Sequence, residues 1–115
     1  MKILNRKELR QLEHRNLFSN ANGDINGLYI YEENMSVDFV QTDLLGFPQH
    51  KDSRGHQGME DFSLVKHGKE LEIDLDCSSR EGFYDDSRLY AVYEKGDLLK
   101  LINKLQQIYI ENYTE

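Results

Sequence analysis

Residues Glu70 to Cys77 read E-L-E-I-D-L-D-C, which places Glu70, Glu72, Asp74 and Asp76 at alternate positions. Carboxylates gathered on one face can hold a divalent cation, move protons, or meet the lysines and arginines of another macromolecule. The spacing argues against the first use. Same-face side chains on a strand stand roughly 7 Å apart, too wide for neighbours to share one ion, and calcium sites prefer curved loops that also supply carbonyls. Asp85-Asp86 lacks the D-x-D-x-D-G frame of a calcium loop. His50 and His56, with Lys51, Asp52 and Arg54, form a second cluster that could serve acid–base or phosphate chemistry. A polar surface loop accounts for it equally, and the histidine spacing matches no zinc motif. The chain contains no G-x-S-x-G, P-loop, G-x-G-x-x-G, H-E-x-x-H or C-x-x-C. Ser53, Ser63, Ser78 and Ser79 have no neighbouring signature of activation. A non-catalytic protein without metal or cofactor is the expectation.

Acids on a rigid sheet, set opposite basic groups, speed encounter and select a partner. Interface anchors are commonly aromatic, and Phe83 and Tyr84 lie between Glu81 and the pair Asp85-Asp86. The candidate partner-binding residues are therefore Glu70, Glu72, Asp74, Asp76, Glu81, Phe83, Tyr84, Asp85 and Asp86.

Composition supports recognition of a basic partner. The 115 residues form one domain, carry a net charge of −7 and are 38% hydrophobic, as in ordinary globular proteins. Charge is uneven: residues 21–50 hold five acids and no base, and 71–97 hold eight acids against three bases. Such a field repels nucleic acid and anionic membrane and attracts basic surfaces. A solvated, solubilising surface is the simpler account of the same acids. No apolar stretch is long enough to span a bilayer, and no apolar leader follows Met1. Cys77, a lone cysteine, excludes an internal disulfide framework and is expected as an inert buried thiol. A cytoplasmic setting is expected.

The elements that must position these residues are read from periodicity. Asn5-x-x-Glu8 is a capping box that opens a helix over Arg6 to Phe18, with Leu9 and Leu12 inward and Arg6, Lys7, Arg10 and Arg15 outward. Residues 19–24 make a stop and turn. Gly27 to Glu33 and Met35 to Thr42 read as antiparallel strands, with Val37 and Phe39 on one face. Residues 46–60 form a long surface loop. Residues 61–66 and 69–77 form a hairpin around His67-Gly68, pairing Leu64 with Leu71 and Phe62 with Ile73. Residues 78–88 connect to a strand over Leu89 to Glu94. Gly96-Asp97 then opens a final helix, Asp97 as its cap, with Leu98, Leu101, Ile102, Leu105, Ile108 and Tyr109 in a stripe. The expected fold is α+β: a mostly antiparallel sheet of about five strands with both helices on its apolar face and acids on the other.

With E-L-E-I-D-L-D and E-G-F-Y-D-D as local carriers, the chain resembles the immunity proteins of bacterial toxin systems, including contact-dependent growth inhibition. That resemblance implies a stoichiometric inhibitor that binds a cognate toxin domain, often a basic nuclease, and blocks its active site or substrate groove. Two other readings remain open: an acidic mimic of nucleic acid that inhibits a DNA-binding protein, and a small enzyme or ligand-binding domain using the His50/His56 loop.

Overall fold

The computed structural model describes residues 1–45, 49–50, 67–68 and 70–113. The elements run β1 (Lys2–Asn5), α1 (Arg6–Leu9), β2 (Leu17–Asn20), β3 (Asn26–Asn34), β4 (Phe39–Asp43), β5 (Gln49–His50), β6 (Leu71–Glu72), β7 (Cys77–Arg80), β8 (Leu89–Val92) and α2 (Lys95–Tyr113). Six strands make one antiparallel sheet in the order β1-β8-β2-β3-β4-β7, and β5 pairs with β6 in a separate two-stranded ladder. The class is α+β with an antiparallel sheet, as expected. The strand count and the packing of the helices differ.

The capping box at Asn5 is present: the Asn5 side chain accepts from Glu8 N at 2.8 Å, and Glu8 Oε1 accepts from Asn5 N at 3.1 Å. The helix it opens is only four residues long. Arg10 N still bonds Arg6 O, but Gln11 N and Leu12 N reach back three residues, to Glu8 O and Leu9 O. That tightening ends the helix. The chain leaves because Phe18 belongs to the sheet. It pairs with Tyr29 and Val92, stacks on Tyr29 at 5.3 Å and meets Tyr90 edge-on at 5.4 Å. The expected helix to Phe18 is therefore replaced by one turn plus β2, which also takes Ser19 and Asn20 from the expected turn. Burying an aromatic ring outweighs the few tenths of a kcal/mol per residue that helix propensity offers.

Phe18, Tyr31, Phe39, Tyr90 and Val92 form the core with Leu9, and Leu4, Leu12 and Tyr29 pack around them. In β3, Gly27 adopts φ +74, and the Tyr29 ring lies where a Cβ at this position would stand. β3 and β4 are antiparallel as expected, with Tyr31 opposite Gln41 and a register shift before Glu33. β4 begins later than expected: Val37 is exposed, and Asp38 is buried in front of the strand.

The stretch 70–77 departs most from expectation. Before Cys77, only Leu71 and Glu72 enter a ladder among the described residues, opposite His50 and Gln49, and Leu71, Ile73 and Leu75 are exposed rather than inward. Asp74 Oδ1 accepts from Asp76 N at 2.9 Å, a local turn that bends the chain out of strand geometry. Pairing resumes at Cys77, which is buried and stands opposite Asp43. Residues 77–80, expected mostly as connection, thus form the edge strand β7. The hairpin pairings of 61–66 and the loop side chains, His50 and His56 among them, lie outside the described residues.

α2 starts at Lys95. Asp97 sits inside its first turn, where Oδ2 accepts from Glu94 N at 3.0 Å, so it caps from within rather than ahead of the helix. None of its residues is buried, so it does not lie on the apolar face of the sheet as expected.

Candidate functional site: a pinned acid–aromatic loop

Residues 81–88 leave β7 and return to β8. Their shape is set from inside by Arg6, the first residue of α1. Burial opposes the charge on Arg6, but its hydrogen bond and attraction to Glu81, with bonds to Asp38 and Asp86, hold its pKa above the ordinary value. Nε donates to Glu81 Oε1 at 2.8 Å, Nη2 to Asp38 Oδ1 at 3.1 Å and to Val37 O at 2.9 Å, and Nη1 to Asp86 Oδ1 at 3.2 Å. The side chain is 1% exposed. The planar guanidinium fork suits this task because it can address several acceptors in fixed directions.

The two buried carboxylates carry the constraint outward to the loop. Glu81 Oε1 also accepts from Phe83 N at 2.9 Å, and Oε2 accepts from the Tyr90 hydroxyl. Asp38 accepts from Phe39 N at 2.8 Å and from Gly82 N at 3.2 Å. Burial raises the Asp38 pKa, yet the N–H groups of Gly82 and Phe39 and the Arg6 charge together hold it below its usual value. Backbone bonds from Glu81 N to Phe39 O and from Arg6 N to Arg88 O close both ends of the loop.

Within this frame the chain makes two left-handed steps, Gly82 at φ +76 and Tyr84 at φ +55. Glycine accepts that region freely, whereas tyrosine there carries a strain of about 1–2 kcal/mol. The result is a pair of neighbouring rings held out of the core: Phe83 and Tyr84 are each 58% exposed. Arg88 covers Phe83, its guanidinium carbon 3.8 Å from the ring centroid, and Arg6 lies 5.8 Å from the Tyr84 ring. Arg88 Nε is buried without a hydrogen-bond partner, 4.0 Å from Glu81 Oε2. Asp85 closes the tip by accepting from Ser87 N and Oγ at 3.0 and 2.6 Å, bonds that lower its pKa. Asp86 binds Arg6 while its side chain remains 59% exposed.

The structure therefore gathers five of the candidate residues but divides their duties. Phe83, Tyr84, Asp85 and Asp86 are presented to solvent. Glu81 is buried, and its carboxylate is committed to Arg6, Phe83 N and Tyr90, so it shapes the loop and does not face a partner. Glu70, Glu72, Asp74 and Asp76 lie before β7, at the end of that strand away from the loop, and β7 alone separates the two by about 13 Å. Of these, Asp74 is half-buried and the other three are exposed.

Sequence periodicity missed Arg6 and Asp38, the two groups that organise the site. Periodicity alone places Arg6 on the outer face of a longer helix and Asp38 in a strand. The one available signal was local: Asn5-x-x-Glu8 fixes Arg6 as the first helical residue. Arg10 has a similar hidden duty, donating to Asn34 Oδ1 and to the carbonyls of Met35 and Ser36, which fixes the turn before Asp38.

No family model, curated protein or solved structure matches this chain. Among the described residues there is no cluster of His, Cys, Asp and Glu of the kind that holds a metal ion, and no helix long and apolar enough to cross a membrane.

Proposed function

We propose that the chain is a non-catalytic immunity protein that binds and neutralises a cognate, basic toxin domain, with the loop over residues 82–86 as its central contact. The observation that carries this reading is the pinned pair Phe83 and Tyr84, exposed beside Asp85 and Asp86. Large side chains with few rotatable bonds lose little entropy when a partner covers them, and preorganisation lowers the cost of binding further. The carboxylates steer a basic surface towards the rings, and Glu70, Glu72 and Asp76 extend the acidic field beyond β7. Arg6 and Arg88 together balance the two buried carboxylates behind the loop, Asp38 and Glu81, so the negative charge presented outward is that of Asp85 and Asp86.

The test is calorimetric titration against the product of a neighbouring toxin gene, and the lack of such a gene beside this one would itself count against the reading. Phe83→Ala and Tyr84→Ala should each weaken binding by about 2 kcal/mol, the scale of interface anchors. Asp85→Asn combined with Asp86→Asn should lower the association rate and flatten its salt dependence. Unchanged affinity in both ring variants, with the fold intact, would sink the proposal.

A further inference from the structure

α2 is a 19-residue helix, about 28 Å long, with no buried residue. Most helical stability in proteins comes from packing an apolar face, and an uncovered helix of this length is marginal in water. Four of its apolar residues follow a heptad, while Leu99, Ile110 and Tyr113 lie off it. Leu98, Leu105 and Asn112 occupy the first position, and Leu101 and Ile108 the fourth. This is the seam by which one helix pairs with another. Ile102 and Tyr109 flank the seam on one side, and Asp97, Lys104 and Glu111 flank it on the other.

We propose that α2 pairs with α2 of a second copy of this chain as a parallel two-stranded coiled coil. The flanking charges select both the partner and its direction. In a parallel pair, Asp97 faces Ile102 and Lys104 faces Tyr109 of the other copy, so no like charges meet and the ammonium can rest on a ring. An antiparallel pair would bring Lys104 against Lys104, which is repulsive; Asp97 against Glu111 adds little, because Asp97 Oδ2 already holds the Met1 ammonium at 2.8 Å. Asn112 strengthens the choice. A single polar residue at the first heptad position sets register in parallel dimers, and Asn112 donates to Ile108 O within its own helix, at 2.8 Å.

The area is sufficient. Leu98, Ile102, Leu105, Ile108 and Tyr109 are between 40% and 61% exposed. They leave on the order of 500 Å² of surface per copy, or 1,000 Å² per pair, the threshold for a specific interface. A reversible dimer in the micromolar range is the expected strength. This pairing is independent of the toxin reading, because it uses the helix and leaves the 82–86 loop free.

Sedimentation of the full chain over ~1 to ~300 µM tests it. The mass should rise from 13.6 kDa towards twice that value. Leu105→Glu should leave a monomer throughout, with the tyrosine near-ultraviolet signal of the sheet unchanged. Leu101→Cys should oxidise to a cross-linked dimer, because like faces like across a parallel seam, whereas wild type treated in the same way should not. A wild-type monomer at every concentration would overturn the proposal. So would a dimer that survives Leu105→Glu, a dimer in which Leu101→Cys fails to cross-link, or a monomer that binds anionic phosphatidylserine vesicles through α2.

Discussion

Arg6 Nε donates to Glu81 Oε1 at 2.8 Å, joining the first helical residue to a carboxylate 75 positions later in the chain. Both side chains are almost fully removed from solvent. Removing one member of such a pair leaves a buried charge without compensation, which costs about 3–5 kcal/mol. Arg6→Ala should lower the unfolding free energy by that amount, read as a fall in the urea midpoint at an unchanged slope. Arg6→Lys should lose less, because it keeps the charge while giving up the fork that reaches Asp38 and Asp86 together.

Asp38 ties the same network to proton activity. Its folded pKa lies below the ordinary carboxylate value. The stability it contributes is therefore fully present above about pH 4, the unfolded value, and is lost as the pH falls through the lower folded value. Urea titrations between about pH 5 and pH 2 should show stability dropping with acid. In Asp38→Asn the drop should be shallower, from a lower starting point at neutral pH.

Tyr90 produces the opposite edge. Burial and the hydrogen bond to Glu81 both raise its pKa. A phenol whose folded value exceeds its unfolded value contributes stability below about pH 10 and loses it as the pH rises through the folded value. Alkaline unfolding should begin above about pH 10. Tyr90→Phe should make that slope shallower, leaving the share of buried Tyr31, whose pKa burial also raises, while costing about 1–3 kcal/mol at neutral pH, since Glu81 Oε2 loses its donor.

Tyr84 separates stability from recognition. Its left-handed backbone favours glycine, so Tyr84→Gly should leave the unfolding free energy within about 1 kcal/mol of wild type. Binding to the toxin domain should fall at least as far as in Tyr84→Ala. A large loss of stability would show that the ring is chiefly packing rather than an anchor.

What the sequence discloses depends on the range over which each signal acts. The Asn5–Glu8 box was legible because it closes within four residues, and the antiparallel pairing of β3 with β4 because a short turn leaves little choice. The acid–aromatic cluster at 81–86 was legible by composition. The Arg6–Asp38–Glu81 network was not, since no local pattern links residues separated by 32 and 75 positions. The alternation at 70–77 misled for a specific reason. A period of two describes side-chain direction on a strand, but Asp74 offers its own backbone a competing partner at Asp76, and pairing stops. For α2 the helical period was right and the cover was not, because amphipathicity reports that a face should be covered and is silent on by what.

Cys77 gives the molecule a built-in clock. It is the sole thiol, 7% exposed at the start of β7, and burial together with the negative charges of Asp74 and Asp43 raises its pKa. Only a thiolate reacts quickly with alkylating reagents, so labelling must wait for the β4–β7 edge to part. The alkylation rate of the unaltered chain therefore times the opening of the strand from which the 81–88 loop is hung. A bound partner that stiffens the loop will register as a slower tick, with no probe to install.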